Sequence, residues 1–532
     1  MRHRPWVVVP ALVLAALACG NARPGATTTA PAEPSSTAPS LATSPAPSPR
    51  LTLGIEYAPP QLAEAFRGSG AVSAKPYPSD GDWQNIQSGP EAAYDWDRID
   101  RYVQAYQEAG FTHLTLMITA RTSWAASDPP RLGHPGDFFP RPEYEDDYAA
   151  YVQAFVERYD LDGVEDMPGL RSPVTLFGFE PEYSTYWPGE ADSYVRLLAL
   201  AYPAVKAANP EAQVMAAGLL MTDVFNGYPT PTEVEARMRD PDPRVFDKSP
   251  ADIALLLDHP ELFDVVDFHS LGDYTEIVPT VRWLREQMAA RGYDRPIWIG
   301  DSFSGTGLNG WGPATCPARP NSGLLCYPAT EDNRCLVAET LEALASESHP
   351  EHAAAIAWIR AETAAGLVRK VVVAAGEGLA GINVGNVEDW EPLMLTQGGA
   401  GTSPWQGMVD RNLLTRQFQG YRPAYYALGQ VGDVIQRYTA VERMAGYDDH
   451  TYVYRFSFDD GGQVIIAWAD TGLWLPGEPM RVTPVRIAVG TDRPVRVEWT
   501  VTEGDEAVSE EISPTGGEIT LSLGQIPAFI WR

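Results

Sequence analysis

From Leu51 onward, short apolar runs alternate with longer segments whose apolar residues recur every three or four positions. That is the pattern of β/α units around a parallel sheet. Eight strands are predicted, near residues 53–57, 71–75, 113–119, 174–180, 213–218, 265–269, 297–301 and 381–385, each with a helix or helical stretch after it. Ile99, Tyr102, Val103 and Tyr106 share one helix face, and Gly110 stands where a C-terminal cap belongs. Tyr194, Leu197, Leu198, Ala201 and Val205 repeat the spacing before Asn209-Pro210 stops the helix. Eight such units predict an α/β fold, a (β/α)8 TIM barrel of ~250 residues before insertions. A doubly wound open sheet is the alternative, but no Gly-rich phosphate loop follows the first strand.

After about Arg437 the periodicity changes from mixed to two-residue. Tyr452, Tyr454, Phe456 and Phe458 alternate, Asp459-Asp460-Gly461-Gly462 makes a turn, and another apolar run covers 464–468. This predicts a small C-terminal antiparallel β-sandwich ending on the strand-like stretch 526–531. Its expected role is support of the barrel, with a sugar-binding surface the alternative on fold analogy.

The N-terminus carries Arg2 and Arg4, an apolar run over 7–17, then Ala16-Leu17-Ala18-Cys19. A basic start, about ten apolar residues and small residues before a cut form an export signal, too short for a span of ~20 residues. Cys19 is the expected lipidation site of a bacterial lipoprotein, although Ala-Leu-Ala also suits ordinary signal peptidase. The Thr, Ser, Ala and Pro residues that follow cannot bury a core and form a tether. The chain thus divides into a signal segment 1–19, a tether 20–50, a barrel 51–436 and a sandwich 437–532. The expected location is the cell surface, or otherwise secretion.

At 532 residues with 44% hydrophobic positions, the chain is long enough for two folded units. Its net charge of −31 opposes nucleic acid and anionic membranes. A neutral partner remains acceptable, and a monomer is expected. Besides Cys19 there are Cys316, Cys326 and Cys335, close together in one segment. In an exported chain they read as one disulfide stapling a surface loop, with one thiol over. No His or Cys pair has ligand spacing, so no metal and no cofactor are expected.

In a TIM barrel the chemistry sits at the C-terminal ends of the strands. Those ends are polar here: Glu180 and Glu182 after strand four, His269 on strand six, Asp301 on strand seven, Arg121 and Trp124 after strand three, and Glu56 on strand one. A charge directly after a buried strand needs a wet cleft or a partner, so the set reads as a site.

With these motifs in place, the sequence resembles the clan A glycoside hydrolases, family 39 type. The resemblance rests on Trp83 to Gln87 with Tyr94-Asp95-Trp96 and Asp100, and on the stretch from Tyr194 through Asn209-Pro210 to Gly218. It rests equally on Arg295-Pro296-Ile297-Trp298-Ile299 and on Arg422-Pro423-Ala424-Tyr425-Tyr426-Ala427-Leu428. It implies Glu180 as acid/base and Asp301 as nucleophile. Phe179 stands where the family has Asn, and Asp301 where it has Glu. The shorter stem withdraws the carboxyl by ~1.5 Å, about one C–C bond. The ~5–5.5 Å gap of a retaining pair would move toward the ~6.5–9.5 Å of an inverting one. Asp301 is therefore a displaced nucleophile, a base acting on water, or part of a pocket that binds sugar without cleaving it.

An active pair would divide its roles, with Asp301 ionised and Glu180 holding the proton. The resemblance also places His269 near the nucleophile, with Tyr274 as its hydroxyl partner. Trp124, Trp187, Trp311 and Trp390 sit in strand-end loops and are candidates to stack on sugar rings, although aromatic residues are more often core. Glu56 is a candidate to bond a hydroxyl. The leading expectation is an O-glycosyl hydrolase acting on an oligosaccharide or polysaccharide, and the alternative is a carbohydrate-binding surface protein.

Overall fold

In the computed structural model of the chain, eight parallel strands close into a barrel. The structure describes residues 50–129, 137–180, 190–225, 227–239, 250–303, 334–389, 405–412, 415 and 417–532. The strands are β1 (Thr52–Glu56), β2 (Ser73–Lys75), β3 (His113–Met117), β4 (Leu176–Gly178), β5 (Gln213–Leu220), β6 (Val265–Ser270), β7 (Ile297–Ser302) and β8 (Gly381–Val384). They neighbour one another in chain order, and β8 pairs with β1 to close the ring. Around them lie α1 (Asp97–Glu108), α2 (Glu145–Glu157), α3 (Ala191–Ala208), α4 (Pro250–Leu257), α5 (Ile277–Ala290), α6 (Arg334–Ala345), α7 (His352–Gly376) and α8 (Pro423–Arg437). On α1 the buried face is Ile99, Tyr102, Val103 and Tyr106, the stripe that the spacing predicts. Full burial of such an aliphatic side chain contributes roughly 1.5–3 kcal/mol. Helix α3 ends at Asn209, ahead of Pro210, as expected.

Period-two alternation sorts the barrel interior into layers. At the N-terminal end, Leu176, Met215, Val265 and Trp298 from four adjacent strands form an apolar plug. Two residues further along the strands stand Gly178 and Asp267, and two further again Glu180 and His269. The strands are thus apolar at one end and charged at the other. Strand β7 departs from simple alternation. Phe268 pairs with Ile299 but His269 pairs with Asp301, so Gly300 is an extra residue in the ladder. A one-residue bulge re-aims everything after it. Without it, Asp301 would follow Ile297 and Ile299 toward the helices; with it, Asp301 turns into the mouth. Gly300 is suited to the position because a Cβ there would collide with the Asp267 carboxylate, which accepts its N–H at 2.7 Å.

The chain passes from α8 directly into β9 (Tyr438–Arg443). The remaining strands are β10 (Thr451–Phe458), β11 (Gln463–Ala469), β12 (Thr483–Ala488), β13 (Val495–Trp499), β14 (Ser509–Ile512), β15 (Glu518–Leu523) and β16 (Ala528–Trp531). A six-stranded sheet, β9-β10-β11-β16-β13-β14, faces the pair β12-β15. Alternation on β10 serves two cores at once. Val453 packs with Ile465, Ile487, Val497 and Ile530 inside the sandwich. Tyr452, Tyr454, Phe456 and Phe458 belong to the core of the barrel instead.

Cys335, on α6, is disulfide-bonded. Its partner, the tether, the signal segment with Cys19, and Cys316 and Cys326 lie outside the described residues. Among the described residues no helix is long and apolar enough to cross a membrane.

Candidate active site

Parallel register sets the first two charged groups side by side. Glu56, the last residue of β1, pairs with Lys75, the last of β2. Both are fully buried. Lys75 Nζ lies 2.5 Å from Glu180 Oε2 and 4.0 Å from Glu56 Oε2, and donates to the Gly300 carbonyl at 3.0 Å. Across the mouth, register also pairs His269 with Asp301. The imidazole turns Nε2 toward Glu180 Oε2 at 3.9 Å and Asp267 Oδ2 at 3.5 Å, and Nδ1 toward Asp301 Oδ2 at 4.0 Å. Gly218, at φ 65°, permits this approach, since a Cβ there would strike the His269 ring and come within 3.4 Å of Glu180 Cγ.

Asp301 accepts a hydrogen bond from the Tyr57 hydroxyl. Tyr57 follows β1 at φ 50°, a left-handed conformation that a tyrosine seldom adopts. Its ring stacks on Tyr77 with centroids 5.2 Å apart, and Lys75 Nζ lies 5.4 Å from its centroid. Tyr57 therefore links the lysine to the carboxylate.

The charges sort by neighbourhood. Burial works against the Lys75 ammonium, but Glu180, Asp301, Glu56 and Asp267 more than offset it and raise its pKa above the ordinary lysine value. Burial likewise works against ionised Asp301, yet Lys75, His269 and hydrogen bonds from Glu56 and Tyr57 hold its carboxyl below the usual range. Glu56 goes the other way. Burial and the adjacent Asp301 charge raise it well above that range.

Beside Glu180 a cavity of about 40 Å³ is lined by Asp82, Thr119, Arg121 and Phe138. Asp82 accepts from the Thr119 hydroxyl at 2.6 Å and faces Arg121 at 3.9 Å, while burial pushes its carboxyl up to about 6. Atoms of Glu180, Asp267 and His269 lie within 4.8 Å of one another, close enough for one cation to touch all three. The positive charge there is already Lys75, so this set is not assigned as a metal centre.

The structure brings Glu180, Asp301, His269, Glu56 and Arg121 to one mouth. It does not bring Tyr274, which instead packs edge-on against Tyr452 and Trp468 of the sandwich, at 5.2 and 5.6 Å, under the Arg369 guanidinium. Trp124 packs edge-on against Trp83 at 4.7 Å and donates to the Gln87 carbonyl at 3.2 Å, so it is part of the core behind the loop. Phe179 lies among the helix-facing core residues, and its carbonyl accepts from the Tyr194 hydroxyl at 2.6 Å. It offers no polar side chain to a sugar. Glu182, Trp187, Trp311 and Trp390 lie outside the described residues. Sequence reading gives no role to Lys75 or Tyr57; for Lys75 the signal is present, since a lysine closing a buried strand needs a partner as much as a carboxylate does.

Compared with models of known families, the sequence matches none, and no curated protein matches it. Among solved structures it is similar to a glucosidase from Croceicoccus marinus, at 13% identity over 92% of this chain and 97% of that one, with a TM-score of 0.53. A conserved exported protein from Bacteroides fragilis matches at 10% identity over 91% and 98%, with a TM-score of 0.51. A GH30 endoxylanase from Clostridium papyrosolvens gives 12% identity over 91% and 97%, and a TM-score of 0.48. At such identities the first two likenesses show a shared fold and nothing finer.

Proposed function

We propose that this protein is a glycoside hydrolase that cleaves O-glycosidic bonds of an oligosaccharide or polysaccharide outside the cytoplasm. One observation supports it above the rest: carboxylates from β4 and β7, Glu180 and Asp301, are buried at one barrel mouth, each about 4 Å from a different nitrogen of the same imidazole. A shared fold with a solved glucosidase agrees with this reading. Asp301, ionised and oriented by Tyr57, is the group to meet the anomeric carbon or the attacking water. Glu180, on the Arg121 side, is the group to serve the glycosidic oxygen. General acid catalysis of that kind contributes ~100- to 10,000-fold. The family 39 resemblance belongs to this proposal, as does export on the strength of Arg2, Arg4, the apolar run and Cys19.

The test is a panel of aryl glycosides and plant and microbial glycans, followed by Glu180→Gln on whichever is cleaved. The expected result is a loss of turnover of ~100-fold or more with sugar binding kept; undiminished turnover removes Glu180 from the acid role. Product configuration by NMR then separates Asp301 as nucleophile, which retains, from Asp301 as base on water, which inverts.

One contact favours a second reading. Lys75 stands 2.5 Å from Glu180, where a proton-donating acid would have no use for an ammonium. On that reading the barrel binds saccharide without cleaving it, and calorimetry shows binding to a glycan that no variant turns over.

A further inference from the structure

Glu56 and Asp301 reach the mouth from β1 and β7, strands separated in the ring by β8. Both carboxyl groups are buried, each acts on the other as a side-chain hydrogen-bond partner, and Glu56 Oε1 accepts the N–H of Ser302, the residue next to Asp301. Among the described residues, neither Glu56 Oε2 nor Asp301 Oδ1 receives a hydrogen bond from an N–H or O–H. Two carboxylates cannot face each other in that state, because like charges at hydrogen-bond distance in a dry site cannot both ionise. One proton shared by the two carboxyl groups removes the repulsion between them.

The surroundings decide which residue keeps it. Asp301 already has the Tyr57 hydroxyl as a donor, with His269 at 4.0 Å and the Lys75 charge acting on it. Glu56 has the Ser302 N–H at 2.9 Å and, from β2, Lys75 at 4.0 Å, which is committed to Glu180 at 2.5 Å. From α7, the Lys370 ammonium also acts on Glu56, but Nζ is itself bound to the Ser270 carbonyl at 2.6 Å.

We infer that Glu56 and Asp301 form a one-proton carboxyl dyad in which Glu56 carries the proton and donates it to Asp301. Glu56 is thus a positioning residue: it holds Asp301 ionised, oriented and hydrogen-bonded for whatever meets it from the mouth. This rests on the proposed function only for its kinetic consequence. When Glu56 loses its proton, Asp301 loses a donor and gains a repelling neighbour, so activity falls on the alkaline side. The protonation itself does not depend on a substrate.

Two measurements test it. In the intact protein at pH 7, the infrared difference between wild type and Glu56→Gln should contain one carboxylic-acid C=O band, lost in the variant. In Asp301→Asn that band should vanish at lower pH, because the charge that held the proton on Glu56 is gone. A difference spectrum without the band, or a band unmoved by Asp301→Asn, overturns the dyad; the second variant decides the matter if the first does not fold. On a cleaved substrate, Glu56→Gln keeps a donor to Asp301 but cannot titrate, so kcat/KM should drop less than ~10-fold at its maximum while the alkaline limb disappears. A uniform loss at every pH with the limb in place would make Glu56 merely structural and overturn the inference. If no glycan is cleaved, the proposed function fails and the infrared result still stands or falls alone.

Discussion

Two buried charged clusters in this protein are built on opposite rules. Between barrel and sandwich, Arg369 on α7 gives one terminal nitrogen to Glu362 at 2.5 Å and the other to Gln525, while its plane lies 5.1 Å from the Tyr274 ring centroid. Those two nitrogens are bound to the chain's own groups, and the same guanidinium also acts on the buried carboxyl of Asp273. At the mouth, four carboxyl groups, those of Glu56, Glu180, Asp267 and Asp301, act on the Lys75 ammonium, and Lys370 adds a second positive group that acts on Glu56 and Asp301. Such an excess of one sign is costly in a dry interior. It persists where a substrate or a proton is meant to interact with the surplus, which is why perturbed groups gather at functional sites. The Arg369 layer joins α7 to the sandwich through Glu362, Gln525 and Tyr274 and reads as structure.

That contrast breaks if the two clusters respond alike to substitution. The largest effect expected is on turnover. Asp301→Asn should reduce kcat by about 1000-fold or more on any substrate that wild type cleaves, by analogy with the loss of other reacting groups. Circular dichroism should show the variant still folded at the assay temperature. Retained turnover would remove Asp301 from the chemistry and leave the excess charge without a use.

The Arg369 layer should show the reverse. Arg369→Leu strands the Glu362 carboxylate in the interior, and breaking a buried pair from one side costs about 3–5 kcal/mol. Urea unfolding should report that loss, while kcat of the molecules that remain folded stays within a few-fold of wild type. A large fall in kcat with unchanged stability would mean that the layer is coupled to the site, and the division between the clusters would have to be redrawn.

These clusters were unequally legible in the sequence. Strand existence was local information: runs such as 265–269 and 297–301 are bounded by turns and helices, and the structure places β6 and β7 over them. Strand-end polarity was local too, hence Glu180, His269 and Asp301. The Gly300 bulge that turns Asp301 inward was not, because register is a relation between two strands and a strand alone does not state it. Lys75 could be read as a strand end, but its pairing with Glu180 depends on closure of the barrel. Tyr274 failed for a related reason. Five residues beyond His269 it could face the mouth or the periphery, and docking of Tyr452 and Trp468 from far along the chain selects the periphery.

The smallest effect concerns Asp82, which sharpens the contrast at its margin. It is a further buried acid beside Glu180, and the cation it faces, Arg121, is at 3.9 Å and partly exposed. Burial at the edge of the mouth, only partly offset by Arg121, makes ionising Asp82 cost folding free energy. Its carboxyl sits at about 6 when folded, against 3.8 ordinarily. The folded state therefore binds this proton more tightly than the unfolded chain does. The stability it confers is complete below about 3.8 and is lost as pH rises through about 6. Asp82→Asn cannot ionise and should escape that loss. Between pH 4 and 7 the variant should gain ~1–3 kcal/mol relative to wild type, the amount expected for a shift of about two units. Parallel urea midpoints at both pH values measure it. Curves that stay parallel across that range would show that Arg121 neutralises Asp82 fully, and that the unbalanced charge ends at Glu180.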